Sequence, residues 1–202
     1  MRALLAAADT DFRVKLAFAS ATGVRAGELH ALRWHHLDFA KSEVKVETRV
    51  DAYGDEDVTK TAAGIRTIPL SQQLVLMLKE WKLRTKRKKA DDLVFPNKRG
   101  WYVSHDNMVK RKFFPLFAIL AEKHREDPEK NSEAPARFNW HALRHFAVSC
   151  WIEADLKPKT VQTFAGHSSL QVTMDRYGHL FKSDDHKAAM DAISESLFNS
   201  GS

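Results

Sequence analysis

The chain is 202 residues long, 44% hydrophobic and 29% charged, which is ordinary for a soluble globular protein and enough for one domain with a sizeable core. No apolar run approaches the roughly 18 residues that a membrane span requires. The one cysteine, Cys150, rules out an internal disulfide framework and fits a reducing compartment. An excess of 32 Lys and Arg over 26 Asp and Glu gives a net charge of +6 and a pI near 9.4, which leans toward a polyanionic partner.

The first residues, MRALLAAADTDF, lack the apolar stretch and cleavage site of a signal peptide and read as opening helical turns. Residues 11 to 39 are predicted as helices interrupted at Thr22-Gly23, with Leu29, Leu32 and Leu37 at roughly helical spacing. The period then changes. Val44, Val46, Thr48 and Val50 alternate with Glu43, Lys45, Glu47 and Arg49, the pattern of a half-exposed strand. After the turn-rich DAYGDED, the stretch VTKTAAGIRTIPL predicts a second hairpin turning around Thr61 to Gly64, with Pro69 ending its last strand.

Helices are predicted again over Gln72 to Arg84 and from about Ser104 to Leu120. The polar, Pro-punctuated residues 121 to 137 are expected to form a surface loop, the most mobile segment of the domain. Leu143, Phe146, Ala147, Cys150, Trp151 and Ala154 fall on one helical stripe. Pro158 suits the first turn of the next helix and Gly166 its stop, while Ser168 with Gln171 is a capping-box pattern for a further short helix. The tail, residues 182 to 202, is weakly amphipathic through Ala188, Ile193 and Leu197. The fold class is α+β, mainly helical, with a small antiparallel sheet of two or three strands.

Four constellations carry chemistry-bearing side chains, and each alone has an ordinary reading. In TGVRAGELHALRW, Arg25 sits in a glycine-flanked turn where its planar fork could meet a phosphate, or it is simply solvated while Glu28 favours a helix start. Lys60 sits at a predicted hairpin tip, either solvated or a mobile cation that delivers a proton. In WHALRHF, His141 and Arg144 are three apart and share a helix face. His141 and His145 have the spacing of a helical zinc pair, but Ala142 replaces the glutamate of a zincin helix and a cation lies between them. In GHSSLQVTMDRYGHL, His167 lies just past a helix C-terminus, where the dipole favours an imidazolium. Tyr177 lies three residues after Met174 and seven after Leu170, the spacing of a core aromatic.

Together these stretches resemble the catalytic domain of the tyrosine recombinases, the phage-integrase family. TGVRAGEL, TKTAAGIRTIPL, HALRHFA and AGHSSLQVTMDRYGHL appear in the family's order and at compatible spacing, from about Ala3 to Phe181. The resemblance implies that Tyr177 attacks a DNA phosphodiester, forming a 3′-phosphotyrosine link and releasing a 5′-hydroxyl. It implies that Arg25, Arg144 and His167 contact the non-bridging oxygens and that Lys60 is the general acid for the leaving oxygen. His141 would assist proton transfer or hold the phosphate, and Glu28 would support the site. His145 and His179 match common motif positions without an assigned role. Strand exchange of this kind needs no cofactor and no metal, and the sequence holds neither a Walker loop nor the paired carboxylates of a metal-dependent transposase. Tyr177, placed near a helix end and at core-like spacing, is expected to be tucked against the domain in the absence of DNA.

Arg84, Lys86, Arg87, Lys88 and Lys89 form a basic run that reads either as phosphate-backbone contacts or as a solvated helix end. Trp101 and Tyr102 read as packing residues. The implied function is a site-specific DNA recombinase. The competitors are a type IB topoisomerase, which uses a similar residue set, and a catalytically silent DNA-binding relative. The expected partner is double-stranded DNA, the expected state a homo-tetramer on DNA and a monomer without it, and the expected location the cytoplasm, at the nucleoid. Residues 1 to 181 are expected to be the catalytic domain, with the tail docking in cis or in trans. The family's N-terminal core-binding domain is expected to be missing, as in a domain fragment.

Overall fold

A computed structural model describes residues 1–51, 53–58, 64–131, 135–181 and 186–198. The N-terminal half is helical: α1 (Arg2–Ala7), α2 (Thr10–Thr22) and α3 (Ala26–Ala31). Asp9 caps α2 by accepting the Phe12 amide, which satisfies one of the orphan donors of a helix start. Gly23 ends it in the left-handed conformation at φ 59°, and a Cβ there would stand 3.1 Å from the Trp151 ring. Glycine is therefore required twice, for the turn and for the close approach of a later helix. The helix predicted through Leu37 stops at Ala31. A short 3-10 turn, Trp34–His36, then leads into β1 (Leu37–Asp38).

The predicted strand from 43 to 50 is two strands. β2 (Glu43–Val46) and β3 (Thr48–Val50) are separated at Glu47, whose carboxylate pairs with Lys45 at 2.6 Å. β2 lies between β1 and β5 (Arg66–Pro69) in a three-stranded antiparallel sheet, with Val44 opposite Ile68 and Val46 opposite Arg66. β3 instead pairs with β4 (Glu56–Val58) in a separate two-stranded ribbon, Arg49 facing Asp57. The two strands expected to form one hairpin therefore belong to different sheets. The predicted turn at Thr61 to Gly64 lies outside the described residues except for Gly64.

The remaining helices are α4 (Gln72–Arg84), α5 (His105–Met108), α6 (Phe114–Glu126), α7 (Ala142–Glu153), α8 (Pro158–Ala165), α9 (Leu170–Tyr177) and α10 (His186–Phe198), with a π turn over Val109–Phe113. The expected loop after residue 120 therefore begins later, past Glu126. Ser169, not Ser168, caps α9, accepting from the Val172 amide.

The main core joins α1, α2, α4 and the three-stranded sheet, with Leu16, Phe18, Val44, Ile68 and Leu78 almost fully buried. Phe113 anchors an aromatic cluster with Phe117, Phe138 and Trp140, its ring centroid 5.1 to 5.8 Å from each of theirs, an edge-on arrangement that aromatic quadrupoles favour. A smaller cluster of Val148, Ile152, Val161 and Ala165 ties α7 to α8, and Tyr177 belongs to it. Trp101, expected to pack, is 69% exposed.

Candidate active site

Three arginines from distant parts of the chain converge on the C-terminal end of α8. A helix end leaves its last carbonyls without intrahelical partners. Here the His167 amide returns to Gln162 O and the Gly166 amide to Thr163 O, the paired bonds of a Schellman turn, with Gly166 left-handed at φ 66°. The next carbonyls are taken by guanidinium groups. Phe164 O accepts from Arg66 Nε at 2.8 Å, Ala165 O from Arg144, and Gly166 O from Arg25 at 3.0 Å. The partial negative charge of the helix end lets these cations approach one another at reduced cost. A Cβ on Gly166 would stand 3.0 Å from the Arg66 guanidinium.

Glu28 completes this frame from α3. Its carboxylate accepts two bonds from Arg66, at 3.0 and 2.8 Å, one from Arg25 Nη1 at 3.0 Å, and the Arg25 amide at 2.7 Å. Burial opposes its ionisation, but the Arg66 guanidinium and then the Arg25 contacts hold its pKa below the usual carboxylate value. Arg66 has spent its donors on Glu28 and on carbonyls. Arg144 is also buried, bonded to Gly23 O at 2.8 Å as well as to Ala165 O. Burial and the neighbouring Arg25 charge lower its pKa to about 10, so it remains a cation at neutral pH. Arg25 stays 44% exposed at its side chain.

Arg25, Glu28 and Arg144 line a cavity of about 510 Å³ together with His141, His167 and Arg176. Arg49 on β3 lines it too, paired with Asp57 at 3.8 Å, its Nε buried without a hydrogen-bond partner among the described residues. Among the described residues, cations thus outnumber the single lining carboxylate, Glu28, and that carboxylate is already neutralised. Such a cavity selects for an anion.

His167 is buried, and its Nδ1 contacts the Thr173 hydroxyl at 2.9 Å. Burial, Arg144 and Arg25 push its pKa down to about 4. The ring is therefore neutral at pH 7, and the imidazolium expected from the helix dipole does not form, because the arginines already hold that helix end. His141 opens α7 on the same face as Arg144, with its pKa lowered by burial and by His145.

Tyr177 is 4% exposed. Its ring lies nearly parallel to that of His167, at 12° and 6.1 Å between centroids. Its hydroxyl is 2.6 Å from His145 Nδ1. Burial raises its pKa, against the opposing charges of Arg144 and Arg176. The apolar stripe expected to carry it inward is wrong in detail: Leu170 and Met174 are 41% and 37% exposed, while Thr173 is fully buried. The inward face of α9 is Thr173 and Tyr177, four residues apart. Tyr177 is tucked against the domain, as expected of it without DNA.

Arg25, His141, Arg144, His167, Glu28 and Tyr177 are thus brought together. Lys60 lies outside the described residues, beyond the end of β4. The basic run does not join the cavity. Arg84 pairs with Asp11 at 3.4 Å and stacks over Trp81, Arg87 donates to Arg99 O at 2.8 Å, Lys88 reaches Leu83 O at 3.5 Å, and Lys86 and Lys89 are exposed. Local pattern reading missed Arg66, whose partners Glu28 and Phe164 are remote in sequence, and left His145 unassigned although HALRH contains it. One grouping among the described residues, His35, His36 and Glu47, has metal-like spacing. His36 Nδ1 accepts the Arg33 amide, which leaves Nε2 as the protonated nitrogen facing Glu47 at 3.6 Å. With its Nδ1 lone pair held by that amide and its Nε2 protonated, the ring offers no free lone pair to a cation, so the grouping reads as a polar cluster.

Known proteins resemble this chain in sequence and in fold. The tyrosine recombinase XerC-like protein of Caldanaerobacter subterraneus subsp. tengcongensis is 30% identical over 195 residues, covering 83% of this chain and 46% of the relative. The ICEBs1 integrase of Bacillus subtilis is 28% identical over 183 residues, covering 88% and 47%. The chain therefore spans about half the length of these relatives. Among solved structures, the Tn1549 transposon integrase in complex with a circular intermediate DNA superposes with a TM-score of 0.70 at 20% identity, over 89% of this chain and 58% of that one. The catalytic domain of bacteriophage HP1 integrase superposes at 0.52 and 22%, over 97% and 89%. The family description "Phage integrase family" matches residues 1–184, and the chain belongs to the phage integrase family of tyrosine recombinases.

Proposed function

We propose that this chain is the DNA-cleaving and -rejoining domain of a site-specific recombinase, acting through a covalent 3′-phosphotyrosine. The observation that carries the reading is the convergence of Arg25, Arg144 and His167 on one anion-selective cavity beside a single sheltered tyrosine. Tyr177 Oη attacks the phosphorus of a scissile phosphodiester, the bond from phosphorus to the 5′-oxygen breaks, and Lys60 protonates the leaving oxygen. Rejoining is the reverse attack by a 5′-hydroxyl. Phosphoryl transfer places negative charge on the non-bridging oxygens, and preorganised donors in a site shielded from water stabilise it. Arg25 and Arg144 supply charge. His167, with Nδ1 on the Thr173 hydroxyl, offers a neutral Nε2–H, and His141 sits where it can hold the phosphate or assist proton transfer. The phosphotyrosine conserves the bond energy, so the step consumes no nucleotide.

The same reading has residues 1 to 181 as the catalytic domain, binding double-stranded DNA in the cytoplasm at the nucleoid, with Arg84 and Lys86 to Lys89 on the phosphate backbone. It has a tetramer assembled on DNA and a tail that docks on a neighbour. The exposed Met190, Ile193 and Leu197 along α10 support a docking role for that tail. Mass measurement of the chain with and without residues 182 to 202, on DNA, tests it; a monomer in both cases sinks the exchange.

The central test uses a random-sequence library of nicked duplexes, in which cleavage beside the nick loses a short fragment and traps the adduct. Wild type is expected to yield covalent protein–DNA species whose sequenced inserts share a motif, and Tyr177→Phe none. Wild type without adducts refutes the enzyme reading.

A further inference from the structure

A tyrosine hydroxyl with a pKa near 10 must lose a proton to attack phosphorus at neutral pH. The destination of that proton is a question of geometry before it is one of basicity. Within the described residues, each group close enough to matter can be assessed. Glu28 is saturated by Arg66 and Arg25. His167 lies flat against the Tyr177 ring, with Nδ1 committed to Thr173. Asp175, on the same helix, accepts from Gln171 at 2.5 Å. His141 makes its ring contact with His145, 5.1 Å away between centroids, rather than with Tyr177. His145 Nδ1 stands 2.6 Å from the Tyr177 hydroxyl.

We propose that His145 is a further catalytic residue: its Nδ1 takes the Tyr177 hydroxyl proton as Oη bonds to phosphorus. The inference rests on the phosphotyrosine reading given above. The balance is complete within named groups. The Tyr177 O–H bond breaks and its proton goes to His145 Nδ1, the Oη–phosphorus bond forms, the bond from phosphorus to the 5′-oxygen breaks, and the 5′-oxygen takes a proton from Lys60. In rejoining, His145 returns its proton to the departing tyrosine, so one imidazole serves both directions.

The surroundings suit a base. Burial, then Arg176 on α9 and Arg144 on α7, lower the pKa of His145, so it carries a free lone pair at neutral pH. His141, one helical turn away, is held neutral by burial and by His145 itself. The charged groups facing His145 are thus Arg144 and Arg176. Both also favour tyrosinate at Tyr177, against the burial that raises its pKa.

The experiment measures adduct formation in a single turnover as a function of pH, on a nicked duplex recovered from the library selection. Wild type is expected to lose rate on the acid side as His145 protonates. His145→Ala is expected to be slower by about 100-fold or more at neutral pH and to lack that acid limb. His145→Gln keeps a hydrogen-bond acceptor without a proton-accepting role, and is expected to be as slow as His145→Ala. Thermal melting and DNA-binding titrations establish that each variant is folded and bound. A Gln variant at the wild-type rate would reduce His145 to a positioning residue and overturn the proposal. So would an Ala variant that cleaves as fast as wild type or faster, since His145 would then be only a latch on Tyr177. A wild-type protein that forms no adduct fails the recombinase reading itself, a result distinct from either of these.

Discussion

The end of α8 and the end of α9 are two helix termini in one site, and they are built in opposite ways. At α8 the residual carbonyls Phe164, Ala165 and Gly166 each take an arginine, and Glu28 locks two of those arginines together. The cationic frame is therefore assembled before any DNA arrives. At α9, Tyr177 is buried and its pKa is raised, so it stays protonated, with its hydroxyl already on His145. In the proposed reaction the phosphate's cradle is ready, while the tyrosine is still buried and protonated. A free protein with exposed tyrosinate beside a phosphate trap could attack any DNA backbone. Sheltering the tyrosine leaves cleavage to depend on an assembly that brings a scissile phosphate to the Tyr177–His145 pair.

Breaking the frame should cost most. Arg144→Ala is expected to slow adduct formation by about 10²- to 10³-fold, the usual consequence of removing one charge-stabilising donor. It also leaves the buried Gly23 and Ala165 carbonyls unpaired, at about 1–3 kcal/mol each, which urea unfolding should detect. Glu28→Gln removes the charge that balances Arg66, whose side chain is 1% exposed. Stranding a buried cation in this way costs about 3–5 kcal/mol, so this variant should unfold at markedly lower urea and lose activity with its fold.

A smaller effect is expected from pH. His30, His36 and His167 have folded pKa values of about 3, 4 and 4, in each case because of burial first and then neighbouring positive charge. An unfolded histidine titrates near 6.5, so below that pH the unfolded chain binds protons that the folded chain refuses. Stability is fully present above about 6.5 and declines as pH falls toward 4. The urea midpoint should drop between pH 7 and pH 5, and His167→Gln should flatten part of that slope. The smallest expected change is Gly166→Ala, at about 1–2 kcal/mol for a left-handed residue given a Cβ. Crowding of Arg66 should pass into activity more than into stability, because the same turn aims Gly166 O at Arg25.

The sequence shows how legible each half of this contrast is. Helix α4 is readable to the residue because Ser71 caps it and its apolar spacing is regular. The motif positions Arg25, His141, Arg144, His167 and Tyr177 are readable because the chemistry fixes their types and order. The frame behind them is not. Arg66 looks like an ordinary strand residue in GIRTIPL, and its role depends on Phe164, which no local pattern connects to it. The break at Glu47 is invisible for a related reason: strict alternation from Val44 to Val50 continues through it, and only the pairing of β2 with β5 and of β3 with β4 separates the strands. On α9, the apolar residues Leu170 and Met174 mislead, because the buried face is set by the Thr173 contact to His167 rather than by hydrophobicity.

The sheltering of the nucleophile can be tested without knowing the target site. The chain has three tyrosines, so ¹³C labelling at the ring carbon bearing the hydroxyl gives three resonances, and Tyr177→Phe identifies the one of interest. In the DNA-free protein, Tyr177 should titrate above the ordinary tyrosine pKa of about 10, or stay protonated until the fold is lost. Titration below 10 would mean that the arginine frame already activates the tyrosine at rest, and would contradict a nucleophile held back until DNA assembles the site.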